Sequence, residues 1–360
     1  MEIILQKFDY KTQLQEQRKL FIECFPENIG TPVETVGHYN WKFHTFPDSP
    51  TSYEYIAKED NSMIGYYAAI PYSYNIFGTK SKVAMVCDVM TGFQARGKGV
   101  FTKLGVYSTE QYSKEGLAFS TGFPIRSQVI PGHLKAGWES PFTIPMYGKF
   151  LGFDSFLKTR NKQYLIPLAK IFIFFYKNLI NLINTKDSNN IIVETYSSSQ
   201  IQSIKGLDIF LEKWQQQNNI SLVKNIQFIT WRLSAPEKAY KIILLRSEEN
   251  VVGYAVIREV LKENVPCVGV LDISILDAYN EYATIIFKNI DIYAQKSKAE
   301  LILFMVMSHQ AKKISLYKSG YIKTPYIFSF IIKIFDQKLS RTEMFDENNW
   351  NLMWIDSDDL

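Results

Sequence analysis

The chain has 360 residues, 46% of them hydrophobic and 15% aromatic, which is enough apolar material to bury a core in each of two domains. The net charge of +4 is too small to point to a nucleic-acid partner. Three cysteines (Cys24, Cys87 and Cys267) lie far apart with no CxxC pair. They read as reduced thiols, excluding a disulfide framework, and no His/Cys cluster stands at metal-ligand spacing.

The first residues, Met1 to Lys7, lack the basic-then-apolar build of a secretion signal, so a cytoplasmic protein is expected. A strand over 2–6 is followed by an amphipathic helix over 12–25 whose apolar side carries Leu14, Leu20, Phe21 and Phe25. Pro26 stops it. Two strands over 53–58 and 64–74 form a hairpin through Glu59-Asp60-Asn61-Ser62. A turn at Phe77-Gly78-Thr79-Lys80 feeds the stretch on which the functional reading rests, Val86-Cys87-Asp88-Val89-Met90-Thr91-Gly92-Phe93-Gln94-Ala95-Arg96-Gly97-Lys98-Gly99-Val100.

That stretch reads as a strand, a glycine-punctuated turn and a helix over 97–114. A helix start leaves backbone N–H groups unpaired, and with Arg96 and Lys98 beside them the turn suits a pyrophosphate. It is not a P-loop, because Lys98 is followed by glycine and no GxxxxG precedes it, and it contains no GxGxxG. A strand over 117–121 ends at Gly122-Phe123-Pro124, a short helix reaches Lys135-Ala136-Gly137-Trp138, and strands follow to about residue 150.

Residues 165–183 are the least polar part of the chain and about the length of a membrane span, but Lys170 and Lys177 interrupt them. With Asn178 and Asn181, these lysines mark one helical face. Three readings stay open: a helix packed between domains, a helix on a membrane surface, and a span. A linker is expected at 185–190.

The second half repeats landmarks of the first in the same order. Trp231-Arg232 follows Trp41-Lys42, Gly253-Tyr254 follows Gly65-Tyr66, Asp272 follows Asp88, and Gly320-Tyr321 follows Gly137-Trp138. This predicts a tandem duplication of one αβ domain. Aligned on Asp88 and Asp272, Gly97 becomes Glu281 and Gly99 becomes Ala283, a replacement that repels an anion.

Gln94-Ala95-Arg96-Gly97-Lys98-Gly99 directly after a strand resembles the acetyl-coenzyme A signature of the GNAT N-acetyltransferase superfamily. A further family pattern, Asn-x-x-Ala-x-x-x-Tyr-x-x-x-Gly-Phe, lands on Arg126, Val129, His133, Gly137 and Trp138, matching at the glycine and the aromatic residue. The tandem arrangement is similar to enhanced intracellular survival acetyltransferases. It is closer still to acetyltransferase-like proteins of bacterial surface polysaccharide synthesis. Those share Trp-Lys before a proline turn, Gly-Phe-Pro after the fifth strand, and Trp354-Ile355-Asp356-Ser357-Asp358 near the C-terminus.

The resemblance implies an α/β mixed-sheet fold with two tandem GNAT-like domains, the second degenerate. A catalytic domain would occupy 1–150, a connecting segment 151–195, the degenerate domain 196–338 and an acidic tail 339–360. It implies direct transfer of an acetyl group from acetyl-coenzyme A to a primary amine of a small molecule, with no metal. Amino sugars and their nucleotide- or lipid-linked forms are the acceptors it suggests. Val89, Met90 and Thr91 would pair with the pantetheine arm, and the N–H groups from Ala95 to Val100 would hold the pyrophosphate, with Arg126 contacting the cofactor. His133 takes the position of the family's tyrosine acid. Asp88 is a candidate for orienting a base or holding the amine, although Asp272 repeats it in the copy not expected to bind coenzyme A, which speaks for structure. Two other readings are an aminoacyltransferase of the peptidoglycan-bridge type and a non-catalytic coenzyme A-binding scaffold.

Overall fold

Central strands buried on both faces and helices with one apolar stripe assemble into two units in a computed structural model that describes residues 2–183 and 190–358 and, over 177–183, only the helical backbone. The expected linker therefore falls almost wholly outside the described residues, as do the side chains of Lys177, Asn178 and Asn181 and the last two residues of the tail. Unit one comprises Met1–Thr143, Ser234–Glu237 and Ser329–Asn349, and unit two comprises Ile144–Leu233, Lys238–Phe328 and Trp350–Leu360.

The chain begins with β1 (Ile4–Lys7), α1 (Tyr10–Cys24), α2 (Val36–His44), β2 (Tyr53–Glu59), β3 (Ser62–Ile76) and β4 (Thr79–Thr91). It continues with α3 (Val100–Lys114), β5 (Phe119–Gly122), α4 (Ile130–Lys135), β6 (Thr143–Phe150), α5 (Asp154–Thr159) and α6 (Ile166–Ile183). Then come β7 (Ile191–Ser197), α7 (Leu207–Gln216), β8 (Ile220–Leu222), α8 (Ile226–Arg232), β9 (Tyr240–Ser247), β10 (Asn250–Lys262) and β11 (Val265–Ile275). The last elements are α9 (Ala283–Lys296), β12 (Leu301–Met305), α10 (Ser308–Lys313), β13 (Ile322–Ser329), β14 (Ile331–Ile334), α11 (Arg341–Phe345) and β15 (Trp350–Asn351).

In unit one the strands follow the order β1-β2-β3-β4-β5-β14, antiparallel except for the parallel pair β4–β5. Residues of one parity (Tyr55, Ala57, Tyr67 and Ala69) pack with Val100 and Leu104 of α3. The opposite parity meets α1 and α2, with Tyr66 against Phe8 and Phe43. The β3–β4 register slips between the pairs Tyr66↔Met90 and Ala68↔Cys87, and Asp88 takes a left-handed φ of 48° at that bulge.

In unit two the order is β13-β6-β12-β11-β10-β9-β7, with β11–β12 parallel and α9 between them in sequence. Ile286, Phe287 and Ile290 of α9 pack into a core with Val268, Ile302 and Phe304. β8 and β15 form a short parallel pair. Both units thus carry a mixed sheet with the run of three antiparallel strands, helix and parallel strand that the GNAT-like fold requires.

The boundaries differ from 150 and 196–338. β6 follows α4 of unit one yet pairs antiparallel with β12, Tyr147 opposite Phe304. β14 follows β13 of unit two yet pairs antiparallel with β5, Ile332 opposite Thr121. Each unit completes its sheet with a strand that the chain order assigns to the other. Among the described residues no helix is long and apolar enough to cross a membrane.

Candidate active site

The site is built where two parallel strands part. β4 pairs with β5 only through Ala84↔Ser120, Met85↔Thr121 and Val86↔Gly122. β5 then ends, and Phe123-Pro124 carry the chain away while β4 continues to Thr91. On its other side β4 stays paired with β3, Met90 opposite Tyr66 and Thr91 opposite Gly65. Val89, Met90 and Thr91 therefore present to the β5 side an edge that β5 no longer fills, and all three line a pocket of about 720 Å³.

The strand runs into a turn built for positive φ. Gly97 and Gly99 have φ of +79° and +76°, a region that side chains other than glycine's occupy only with strain. A Cβ at either glycine would meet nothing within 4 Å, so the requirement is for backbone shape and not for packing room. These conformations delay the helix: α3 starts at Val100 and not at Gly97. Its N-terminus has no side-chain cap, and its first backbone bond runs from the Lys103 N–H to Gly99 O at 3.0 Å. The N–H groups of Val100, Phe101 and Thr102 thus open the helix without intrahelical partners.

Three of the N–H groups expected to hold a pyrophosphate are already used inside the turn. Ala95 donates to Gly92 O (3.0 Å), Arg96 to Phe93 O (3.3 Å) and Lys98 to Ala95 O (3.4 Å). The cradle is narrower and later than the sequence suggests, lying over Gly97, Gly99 and the first turn of α3. Arg96 lines it, stacked on Phe93 at 4.1 Å. Gln94 is exposed and does not line the pocket, and Lys98 turns towards Glu59, Nζ 3.4 Å from Oε2.

Arg126 lines the opposite wall with Gln128, Val129 and Gly132. Its guanidinium donates to Cys24 O at 3.1 Å, pairs with Glu27 and sits 5.0 Å from the Phe25 ring centre. It ties the end of α1 to the pocket wall.

His133 lies in α4 but not on the pocket. It is 4% exposed, boxed by the rings of Phe101 (4.9 Å) and Trp138 (5.2 Å), with Nδ1 3.4 Å from the Tyr67 hydroxyl. Burial lowers its pKa to about 4, so the imidazole is neutral at pH 7. A general acid needs contact with the pocket and a readily released proton, and a buried neutral imidazole outside the pocket lining is poorly suited to that role.

Asp88 does not line the pocket either. Its Oδ1 accepts from Lys42 Nζ of α2 at 2.8 Å. Unit two repeats the pairing in full burial: Lys224 Nζ lies 2.5 Å from Asp272 Oδ1, with side chains 1% and 0% exposed. The matching lysine is thus Lys224 and not Arg232, which the Trp-Arg alignment selects and which donates to Ser357 O at 3.0 Å.

Sequence reasoning missed a polar group under α1 and α2. The Glu54 carboxylate, 6% exposed, accepts from the hydroxyls of Tyr39 and Tyr66 and from Ser52 Oγ at 2.7 Å. Burial raises both tyrosine pKa values, and the neighbouring carboxylate adds to the shift. Arg18 stands beside them, 4.1 Å from the Phe21 ring centre, and burial lowers its pKa. A glutamate at an inward position of the Tyr53–Glu59 strand was the available signal.

The corresponding place in unit two is closed. β11–β12 pairing also stops, at Val270↔Phe304, but the gap beyond is filled by the chain's own C-terminal segment. Met353 bridges to Val306, accepts the Ile273 N–H on Sδ at 3.3 Å and is 2% exposed in the core. Asp356 Oδ2 accepts the Met353 N–H at 2.9 Å, fixing the segment. No residue of the Asp277–Tyr282 turn has positive φ, and Ala283, at the start of α9, is fully buried.

Residues 10–150 match the family described as acetyltransferase (GNAT) domain. No curated protein matches the chain. Among solved structures, a GCN5-related N-acetyltransferase from Anabaena variabilis superposes with a TM-score of 0.63 at 13% identity, over 93% of this chain and 73% of that one. A protein of Enterococcus faecalis described as a probable N-acyltransferase gives the same values. The Saccharomyces cerevisiae N-myristoyltransferase with bound myristoyl-CoA gives a TM-score of 0.57 at 10% identity, over 92% of this chain and 82% of that one. At these identities the likeness is one of fold.

Proposed function

We propose that unit one binds acetyl-coenzyme A and passes its acetyl group to a primary amine of a small molecule, and that unit two binds no coenzyme A. The observation that carries this is the continuity of one pocket from the open edge Val89–Thr91 to the glycine cradle at the start of α3. An extended arm that hydrogen-bonds like a β-strand fits the first, and a pyrophosphate fits the second. The match of residues 10–150 to the acetyltransferase (GNAT) domain supports the same assignment.

Val89, Met90 and Thr91 would hold the pantetheine arm by backbone. The N–H groups of Gly97, Gly99, Val100, Phe101 and Thr102 would hold the phosphates, with Arg96 adding charge. The thioester supplies an activated acyl group when bound. His133 acts through packing, holding Phe101 and the α4 wall. Amino sugars, free or nucleotide- or lipid-linked, are the acceptors to try first.

The burial of His133 favours one competing reading, a protein that binds coenzyme A without turnover. Thiol release from acetyl-coenzyme A across a panel of amines separates the two. Acceptor-dependent release that vanishes in Gly97→Glu supports transfer. Tight binding with no release for any amine supports the scaffold. An aminoacyltransferase would show neither binding nor release.

A further inference from the structure

Helix α6 meets unit two by a narrow face and turns a wide apolar face outward. Ile173 is buried, Ala169 is half-buried, and the Tyr176 hydroxyl donates to Gly320 O. At about 100° per residue these three cluster on one side of the helix. Phe174, Ile171, Phe175, Leu168 and Phe172 sweep the other side over an arc of roughly 160°. They are 63%, 55%, 65%, 65% and 60% exposed. A surface helix of a water-facing domain carries polar residues there. This one carries three phenylalanines, and Tyr164 just before it is 72% exposed.

Charge says what covers the face. From residue 155 to residue 183 the chain has five basic residues (Lys158, Arg160, Lys162, Lys170 and Lys177) and no aspartate or glutamate. Lys170 borders the apolar arc, its Nζ 3.4 Å from the exposed Asp154. Arg160 likewise lies 3.7 Å from the exposed Glu263, yet the segment keeps a net positive charge, and an isologous contact with a second copy would bring two such segments together. An anionic surface with an apolar interior satisfies both halves at once. Among the described residues no helix is long and apolar enough to cross a membrane, and Lys170 within α6 suits a place in the plane of the surface.

We propose that α6 is an interfacial anchor that seats unit two on a membrane containing anionic lipid, with Leu168, Ile171, Phe172, Phe174 and Phe175 in the acyl boundary and the basic residues of 158–170 at the headgroups. This assignment is independent of the acyl-transfer reading, since it concerns a helix outside the candidate active site.

Flotation of the whole chain with phosphatidylcholine vesicles, with and without phosphatidylglycerol, tests it. The chain should float with the anionic vesicles and bind them at least about tenfold more strongly than the neutral ones, a preference that high salt reduces. The double variant Phe172→Glu/Phe175→Glu should lose about a hundredfold in vesicle affinity, with its thermal unfolding unchanged because both rings are exposed. Lys158→Glu/Lys162→Glu should remove the anionic preference and leave the weaker neutral binding. No flotation with either vesicle overturns the proposal. So does flotation that both variants retain, or a dimer in solution that Phe172→Glu/Phe175→Glu converts to monomer without any effect on vesicles.

Discussion

At the scale of single residues, two positions carry predictions that separate shape from chemistry. Gly97 is required for its φ of +79° and for close approach to an anion, since no neighbour lies within 4 Å of a Cβ placed there. Gly97→Glu should therefore cost only about 1–2 kcal/mol of stability while lowering acetyl-coenzyme A affinity at least about a hundredfold. Denaturant unfolding and equilibrium binding on one preparation read the two effects apart. His133 makes the complementary case. Burial depresses its pKa to about 4 from 6.5. Above pH 6.5 the ring is neutral folded or unfolded. As pH falls towards 4 only the unfolded chain takes the proton, so stability drops, by about 3 kcal/mol in all. His133→Gln keeps a partner for Tyr67 and removes the titration. Its unfolding free energy should fall less than the wild type's between pH 7 and pH 4, and equal slopes would contradict the burial account.

At the scale of elements, the strand–turn–helix around Gly97 was legible because its signals are local: a valine-containing apolar strand, three glycines and an amphipathic helix in sequence. What the sequence did not show depends on partners far along the chain. The parting of β4 from β5 at Val86 follows from where β5 ends. The seclusion of His133 follows from Phe101, Trp138 and Tyr67, none of them adjacent to it. The Glu54 group joins β2, β3 and α2, and its energetics are those of a buried carboxylate with three donors. Glu54→Ala strands the hydroxyls of Tyr39 and Tyr66 and should cost about 2–4 kcal/mol, measured by denaturant unfolding. The C-terminal segment was read as an acidic tail marked by tryptophans. In the structure Trp354, Asp356 and Ser357 are buried, and Met353 occupies the gap between β11 and β12. Met353→Ala should cost about 2–5 kcal/mol and yet open no second cofactor site, because the turn before α9 lacks a positive-φ nest. Unfolding and binding stoichiometry check the two halves of that statement.

At the scale of the whole molecule, repeated landmarks lead one to expect two units, but they do not say which strand closes which sheet. A strand such as Thr143–Phe150 looks the same in sequence whether it joins the sheet before it or the one after it, because alternation fixes a strand's faces and not its neighbours. The consequence is that the units are not independent stretches of chain: unit one's β5 pairs with residues 331–334, and unit two's β12 pairs with residues 143–150. A fragment ending near residue 150 would lack β14 and leave the β5 edge open. The asymmetry between units is then a matter of occupancy. Both sheets part after equivalent parallel pairs, Val86↔Gly122 and Val270↔Phe304. One gap opens onto a pocket and a glycine cradle, and the other holds Met353. The central claim is that only the first takes coenzyme A. Titration calorimetry of the whole chain with acetyl-coenzyme A tests it directly: the account predicts one site per chain, lost in Gly97→Glu and kept in Met353→Ala. Two sites, no binding, or full binding by Gly97→Glu would contradict it.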